Sequence, residues 1–128
     1  MAPLLCLAVA IYFEARGEPI DGQYAVAEVV MNRVSDERYP DTVCSVVFEE
    51  DQFSFTKDGK PDKLPKTFTN PKKTAIEVAY KVLTEGPQLG ITSTHYHTIE
   101  VKPHWKDYYK VDGIIGEHIF YTNHTDYR

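Results

Sequence analysis

The chain has 128 residues, 42% of them hydrophobic and 26% charged, with a net charge of −5 at pH 7. That length suits one domain over residues 1–128, large enough to bury a core without metal or disulfide staples. The acidic balance and scattered basic residues, with Lys72-Lys73 as the sole adjacent pair, argue against nucleic acid and against stable association with an anionic membrane.

An apolar helix is expected from Pro3, with Leu4, Leu7, Ala8, Ile11 and Ala15 on one face at about 3.6 residues per turn. Gly17 and Pro19 end it. Although Ala2 to Phe13 could pass for a signal-peptide core, it lacks a basic leader and a cleavage site. It is also too short to span a membrane. It reads as a first core helix in a chain without its own export signal.

Asp21 is the expected N-cap of a second helix over 22–35, with Val26, Val29, Val30 and Val34 on its apolar side. Between Ser35 and Thr69 the composition turns to Asp, Pro, Lys and Gly. A short helical or extended piece is expected at Val43–Phe48, and a loop or hairpin at Phe53–Lys63 turning on Asp58-Gly59. Asn70-Pro71 should open the next helix as N-cap and N1, with Ala75, Ile76, Ala79, Val82 and Leu83 on one face and Gly86-Pro87 as its stop. The period then becomes two. Thr94–Val101, Tyr109–Ile115 and His118–Thr122 read as strands, the last two joined by a Gly116-Glu117 turn. Helices followed by a small antiparallel sheet make the fold class α+β. Two cysteines form no disulfide framework, and Cys6 and Cys44 read as free, buried, small hydrophobes.

Glu14 is the foremost candidate for chemistry. It falls in the last turn of the first helix, at the edge of the apolar stripe beside Leu7. A half-sunken carboxyl has its charged form disfavoured, so its pKa should rise toward that of a general acid. The helix geometry alone also allows an ordinary surface glutamate. Gln52 and Ser54 flank Phe53 and would share a strand face suited to sugar hydroxyls and N-acetyl groups. Polar loop residues without a ligand look the same. His95 and His97, as His-x-His on a strand, have a zinc-ligand spacing that His104 or His118 could complete. A hydrogen-bonded His pair fits equally, and no HExxH or paired Cys accompanies it. Trp105, with Tyr108 and Tyr109, could form a sugar-stacking platform or simply pack. Paired-carboxylate glycosidases hold their acids about 5–5.5 Å apart for retention and about 6.5–9.5 Å for inversion. Glu18 would align with Glu14 on a continuing helix, which Gly17 and Pro19 oppose; Asp21, Glu50 and Asp51 are further candidates.

Glu14-Ala-Arg-Gly-Glu18, then Gly22-Gln23-x-Ala25-Val26-Ala27-x-Val29-Val30-x-Asn32-Arg33-Val34, closely resemble the SleB/CwlJ-type cell wall hydrolases. The match continues through Tyr39-Pro40-x-Thr42-Val43-Cys44-x-Val46-Val47-Phe48, Gln52-Phe53-Ser54, Thr94-His95-Tyr96-His97, Trp105 and Ile115-Gly116-x-His118-Ile119-Phe120-Tyr121. In this order these motifs span roughly residues 4–122. The resemblance implies a peptidoglycan-cleaving domain with a lysozyme-like helical half and a small antiparallel sheet. It implies a catalytic Glu14, with lytic transglycosylase or muramidase chemistry.

Spore-type members usually carry a Tyr/Phe-Asn-Pro-like segment where this chain has His95-Tyr96-His97, and the likeness is to phage and Gram-negative forms. The expected partner is the glycan strand of peptidoglycan, bound along Gln52, Ser54, Tyr96, His97 and Trp105, with no cofactor and no metal. The expected chemistry is cleavage of the β-1,4 bond between N-acetylmuramic acid and N-acetylglucosamine. Hydrolysis of that bond, a zinc amidase or peptidase on the wall's peptide stems, and a non-catalytic muropeptide-binding protein are the alternatives. Synthesis in a cytoplasm with both cysteines reduced, and holin-dependent delivery to the wall or periplasm, complete the expectation.

Overall fold

The computed structural model describes residues 2–49, 63–103 and 108–123. Along them run α1 (Pro3–Ala15), α2 (Ile20–Val34), α3 (Val43–Val47), α4 (Asn70–Glu85), β1 (His95–Thr98), β2 (Lys110–Ile115) and β3 (His118–Thr122). Helices precede strands, as the sequence implies. The turn expected at Asp58-Gly59 lies outside the described residues.

Helix α1 begins with Pro3, whose missing N–H costs nothing in a first turn. Every side chain from Cys6 to Tyr12 is buried, so the expected single stripe underestimates it. Helices α2, α3 and α4 all pack against α1, and a helix apolar all round is the one a bundle can surround. Helix α2 starts two residues earlier than expected, with Pro19 at the N-cap. Asp21 sits within the first turn instead, where its charge still suits the positive end of the helix.

The ambiguous piece after Pro40 is helical, because the Thr42 hydroxyl caps it by accepting from the Ser45 N–H at 3.1 Å. Thr69, not Asn70, caps α4, accepting from the Lys72 N–H. Gly86 ends that helix at φ 86°, a conformation that favours glycine.

Cys6 and Cys44 form a disulfide across 38 positions, with their Cα atoms 5.2 Å apart. This corrects the expectation of two free, reduced cysteines. Packing α3 on α1 brings the two side chains together, and no local sequence signal specifies that approach.

The sheet order is β1-β3-β2, with both pairings antiparallel. Two hydrophobic clusters meet at α2. One fills the space among α1, α2, α3 and α4, and the other joins Ala25 and Val29 of α2 to Phe120 of β3. Tyr96 packs against both, at the seam between helices and sheet. Among the described residues no helix is long and apolar enough to cross a membrane.

Candidate active site

The segment leading into the sheet is fastened to the helices by polar side chains of α2, beside the apolar contact of Phe120 with Ala25 and Val29. Glu28, 1% exposed, accepts backbone N–H groups from Gln88 and Leu89 at 2.8 Å, Gly90 at 2.9 Å and Ile91 at 3.4 Å. One turn on, the Asn32 amide donates to the carbonyls of Ile91 and Ser93, each at 2.9 Å. Arg33 Nε donates to the Thr94 carbonyl at 2.7 Å. Buried polar groups must find such partners, and these acceptors and donors lie on the segment leading into β1. Burial lowers the Arg33 pKa, against the neighbouring Tyr39, Tyr96, Glu49 and Tyr109. Its guanidinium stays charged all the same.

That fastening sets the position of Tyr96. Its ring faces the helices, and its hydroxyl donates to Glu14 Oε1 at 2.5 Å. Glu14 is partly buried in the last turn of α1, at the edge that the helical wheel indicates. Burial raises the Tyr96 pKa well above its ordinary value, and the adjacent Glu14 carboxylate raises it further, while Arg33 opposes both. The phenol therefore remains protonated and remains a donor to Glu14.

Glu18 lies beyond the end of α1, so the chain does not align it with Glu14 along a helix. Its Oε1 accepts the Glu117 N–H at 2.8 Å and lies 3.4 Å from His118 Nδ1. The Gly116-Glu117 turn forms as expected, and the close approach of Glu18 requires its glycine. A Cβ on Gly116 would stand 2.3 Å from Glu18 Oε1 and 2.9 Å from Pro19 Cδ, and the residue has φ 59°. Gly22 is crowded too, its notional Cβ 3.1 Å from that of Glu18. Gln23, 5% exposed, donates through Nε2 to the Glu18 carbonyl at 3.3 Å. Glu18 thus ties the β2–β3 turn to the α1–α2 junction.

His95 and His97 do share one face of β1, which alternation makes the face opposite Tyr96. His95 packs against Tyr39 and Tyr109, with ring centroids 6.3 and 4.7 Å away. Burial, then Arg33 and Arg38, push its pKa down to about 3. His97 has Nδ1 2.7 Å from the Thr98 carbonyl and Nε2 2.8 Å from the Tyr121 hydroxyl, and its ring stacks on Tyr121. Both nitrogens of His97 are engaged, so the pair does not present two open metal ligands. His118, the suggested third nitrogen, is on the inner face with Tyr96 and Phe120. Among the described residues no three His, Cys, Asp or Glu side chains converge as a metal site. Gln52, Ser54 and Trp105, with Glu50, Asp51 and His104, lie outside the described residues.

The site therefore unites a carboxyl at a helix end, a phenol that donates to it, and a second carboxylate engaged with a turn. A family model described as Cell Wall Hydrolase matches residues 17–121. The chain belongs to that family. Among the cell wall hydrolases of SleB type, it is 32% identical over 114 residues to a spore cortex-lytic enzyme of Bacillus cereus, covering 89% of this chain and 42% of that protein. It is 41% identical over 71 residues to the spore cortex-lytic enzyme of Bacillus subtilis, covering 56% of this chain and 21% of that protein. The chain thus spans less than half the length of these curated relatives.

The catalytic domain of the germination-specific lytic transglycosylase SleB from Bacillus anthracis superposes with a TM-score of 0.76 at 30% identity, covering 94% of this chain and 93% of that one. The B. cereus SleB catalytic domain gives 0.72 at 30% identity, covering 94% and 89%. The cell wall hydrolase motifs acquire physical roles here. Asn32-Arg33 clamps the approach to β1, while Gly22 and Gly116 make room for Glu18.

Sequence reasoning passed over Glu28 and gave Gln23 no role. The available signal for Glu28 was a lone charge within Ala25-Val26-Ala27-Glu28-Val29-Val30, apolar on both sides.

Proposed function

We propose that this domain cleaves the β-1,4 bond between N-acetylmuramic acid and N-acetylglucosamine in peptidoglycan, as a lytic transglycosylase with Glu14 as acid and then base. The observation carrying this reading is the Tyr96 hydroxyl on Glu14 Oε1 at the seam of the two halves. That bond fixes the rotation of a partly buried carboxyl, and orientation is a large part of what a general acid needs. In the reaction, protonated Glu14 gives its proton to the glycosidic oxygen, and the bond from that oxygen to muramyl C1 breaks. The muramyl C6 hydroxyl then attacks C1, and the Glu14 carboxylate takes its proton. A 1,6-anhydro ring closes, Glu14 is protonated again, and no water is consumed.

Two observations favour this outcome over hydrolysis. Glu18, the nearest second carboxylate in sequence, is engaged with the Glu117 N–H, and an intramolecular hydroxyl needs no second base. The structural neighbour from B. anthracis is described as a lytic transglycosylase. The wall also lies outside the cytoplasm, where a disulfide such as Cys6–Cys44 persists.

Glu14→Gln keeps the shape and removes the proton, so turnover on purified sacculi should fall by about 10²–10⁴-fold with the unfolding midpoint unchanged. Mass spectrometry of the wild-type digest should give 1,6-anhydromuramyl ends. Reducing muramyl ends, heavier by one water, would make the enzyme a muramidase. An active Glu14→Gln protein would remove Glu14 from the chemistry.

A further inference from the structure

His118 is 5% exposed on the inner face of β3, and nothing in the proposed chemistry uses it. Its ring meets the Tyr96 ring edge-on, with centroids 5.0 Å apart, and lies 6.1 Å from Phe120. On its other side Nδ1 is buried, 3.4 Å from Glu18 Oε1, without a hydrogen bond. Glu18 is in turn fixed by the Glu117 N–H and boxed in by Gly116 and Gly22. A continuous packed path therefore runs from the β2–β3 turn through Glu18, His118 and the Tyr96 ring to the hydroxyl on Glu14. We propose that His118 is a positioning residue, set between the Glu18 carboxylate and the Tyr96 ring so that the turn holds the phenol on Glu14. The inference rests on Glu14 being the catalytic acid.

The charged and titratable groups acting on His118 come from the helical half, from β1 and from the β2–β3 turn. They are Glu14 in the last turn of α1, Glu18 at the α1–α2 junction, Tyr96 and His97 on β1, and Glu117 in the turn. Burial lowers the His118 pKa most, His97 adds to that, and the three carboxylates oppose both. The ring is therefore neutral at neutral pH. On acidification it gains a charge that Glu18 and Glu14 attract, which draws the ring away from its neutral seat under Tyr96.

The test compares His118→Phe with wild type and with His118→Gln. Phenylalanine keeps a ring against Tyr96 and Phe120 but presents no nitrogen to Glu18. Its kcat should drop about 10–10²-fold with KM little changed and the unfolding midpoint preserved. Wild-type activity should fall as the pH is lowered far enough to charge His118, and that part of the fall should be absent from His118→Phe. His118→Gln, with a polar group toward Glu18, should recover part of the rate.

The Tyr96 hydroxyl proton, followed by NMR without substrate, provides a readout independent of turnover. It should exchange faster in His118→Phe than in wild type. If it does so while Glu14→Gln stays active, the positioning stands and the assignment of the acid fails. Wild-type kcat, pH profile and hydroxyl exchange in His118→Phe would overturn the proposal. So would a rate loss that follows only a fall in the unfolding midpoint.

Discussion

Around α1 the contacts are apolar, with Leu7, Val9, Ile11, Val30, Val46, Val47 and Val78 all buried together. Between α2 and the segment entering β1, the contacts also include a buried carboxylate, an amide and a guanidinium that meet backbone groups. Apolar packing tolerates small shifts because dispersion and burial are not directional, whereas hydrogen bonds to fixed backbone groups define a position. The helical half is thus built to be stable, and the seam is built to place Tyr96 on Glu14. The proposed mechanism needs both, because the proposed acid, Glu14, comes from one half and the donor to it, Tyr96, from the other.

The sharpest way to break this contrast is Glu28→Ala. Four part-buried backbone N–H groups would lose their acceptor, and a hydrogen bond to a charged group contributes about 1.5–3 kcal/mol. Hydrogen exchange should show β1 and the segment before it opening while α1 and α4 keep their protection. Uniform loss of protection across the domain would mean the two halves are not separately fastened.

In the helical half the counterpart is the Cys6–Cys44 disulfide. Closing a loop of 38 positions restricts the unfolded chain, an effect of at most about 4 kcal/mol. Reduction, or a Cys6→Ala/Cys44→Ala double variant, should lower the urea midpoint and leave the products released by the folded protein unchanged. An identical midpoint in oxidised and reduced protein would contradict the constraint.

The smallest effect expected is a pH dependence of stability. His95 ionises near 6.5 when unfolded but only near 3 in the fold, because burial and the cations Arg33 and Arg38 disfavour its charge. The unfolded chain therefore binds more protons across that window. The contribution is complete above about pH 6.5 and is lost as pH falls toward about 3, with at most one proton involved per such histidine. His118 is shifted in the same direction. Unfolding midpoints measured from about pH 7.5 down to about pH 4.5 should fall less steeply for His95→Gln than for wild type. A parallel slope would remove His95 from the account.

Much of this domain is legible in its sequence because the relevant signals are local. Period 3.6 followed by period two gives helices then strands, Gly86 and Gly116 mark a stop and a turn, and the ordered motifs along the chain carry the resemblance to the family. Only the tertiary structure decided the rest. Whether Cys6 meets Cys44 depends on how α3 lies on α1. Whether Glu18 faces Glu14 or a turn 99 positions away depends on docking the β2–β3 turn at the α1–α2 junction. That Tyr96 serves Glu14 from 82 positions away, while His97 turns to Tyr121, follows from which face of β1 the sheet presents to the helices. Strand alternation specifies that the two faces differ, but only packing against α2 selects which one is inward.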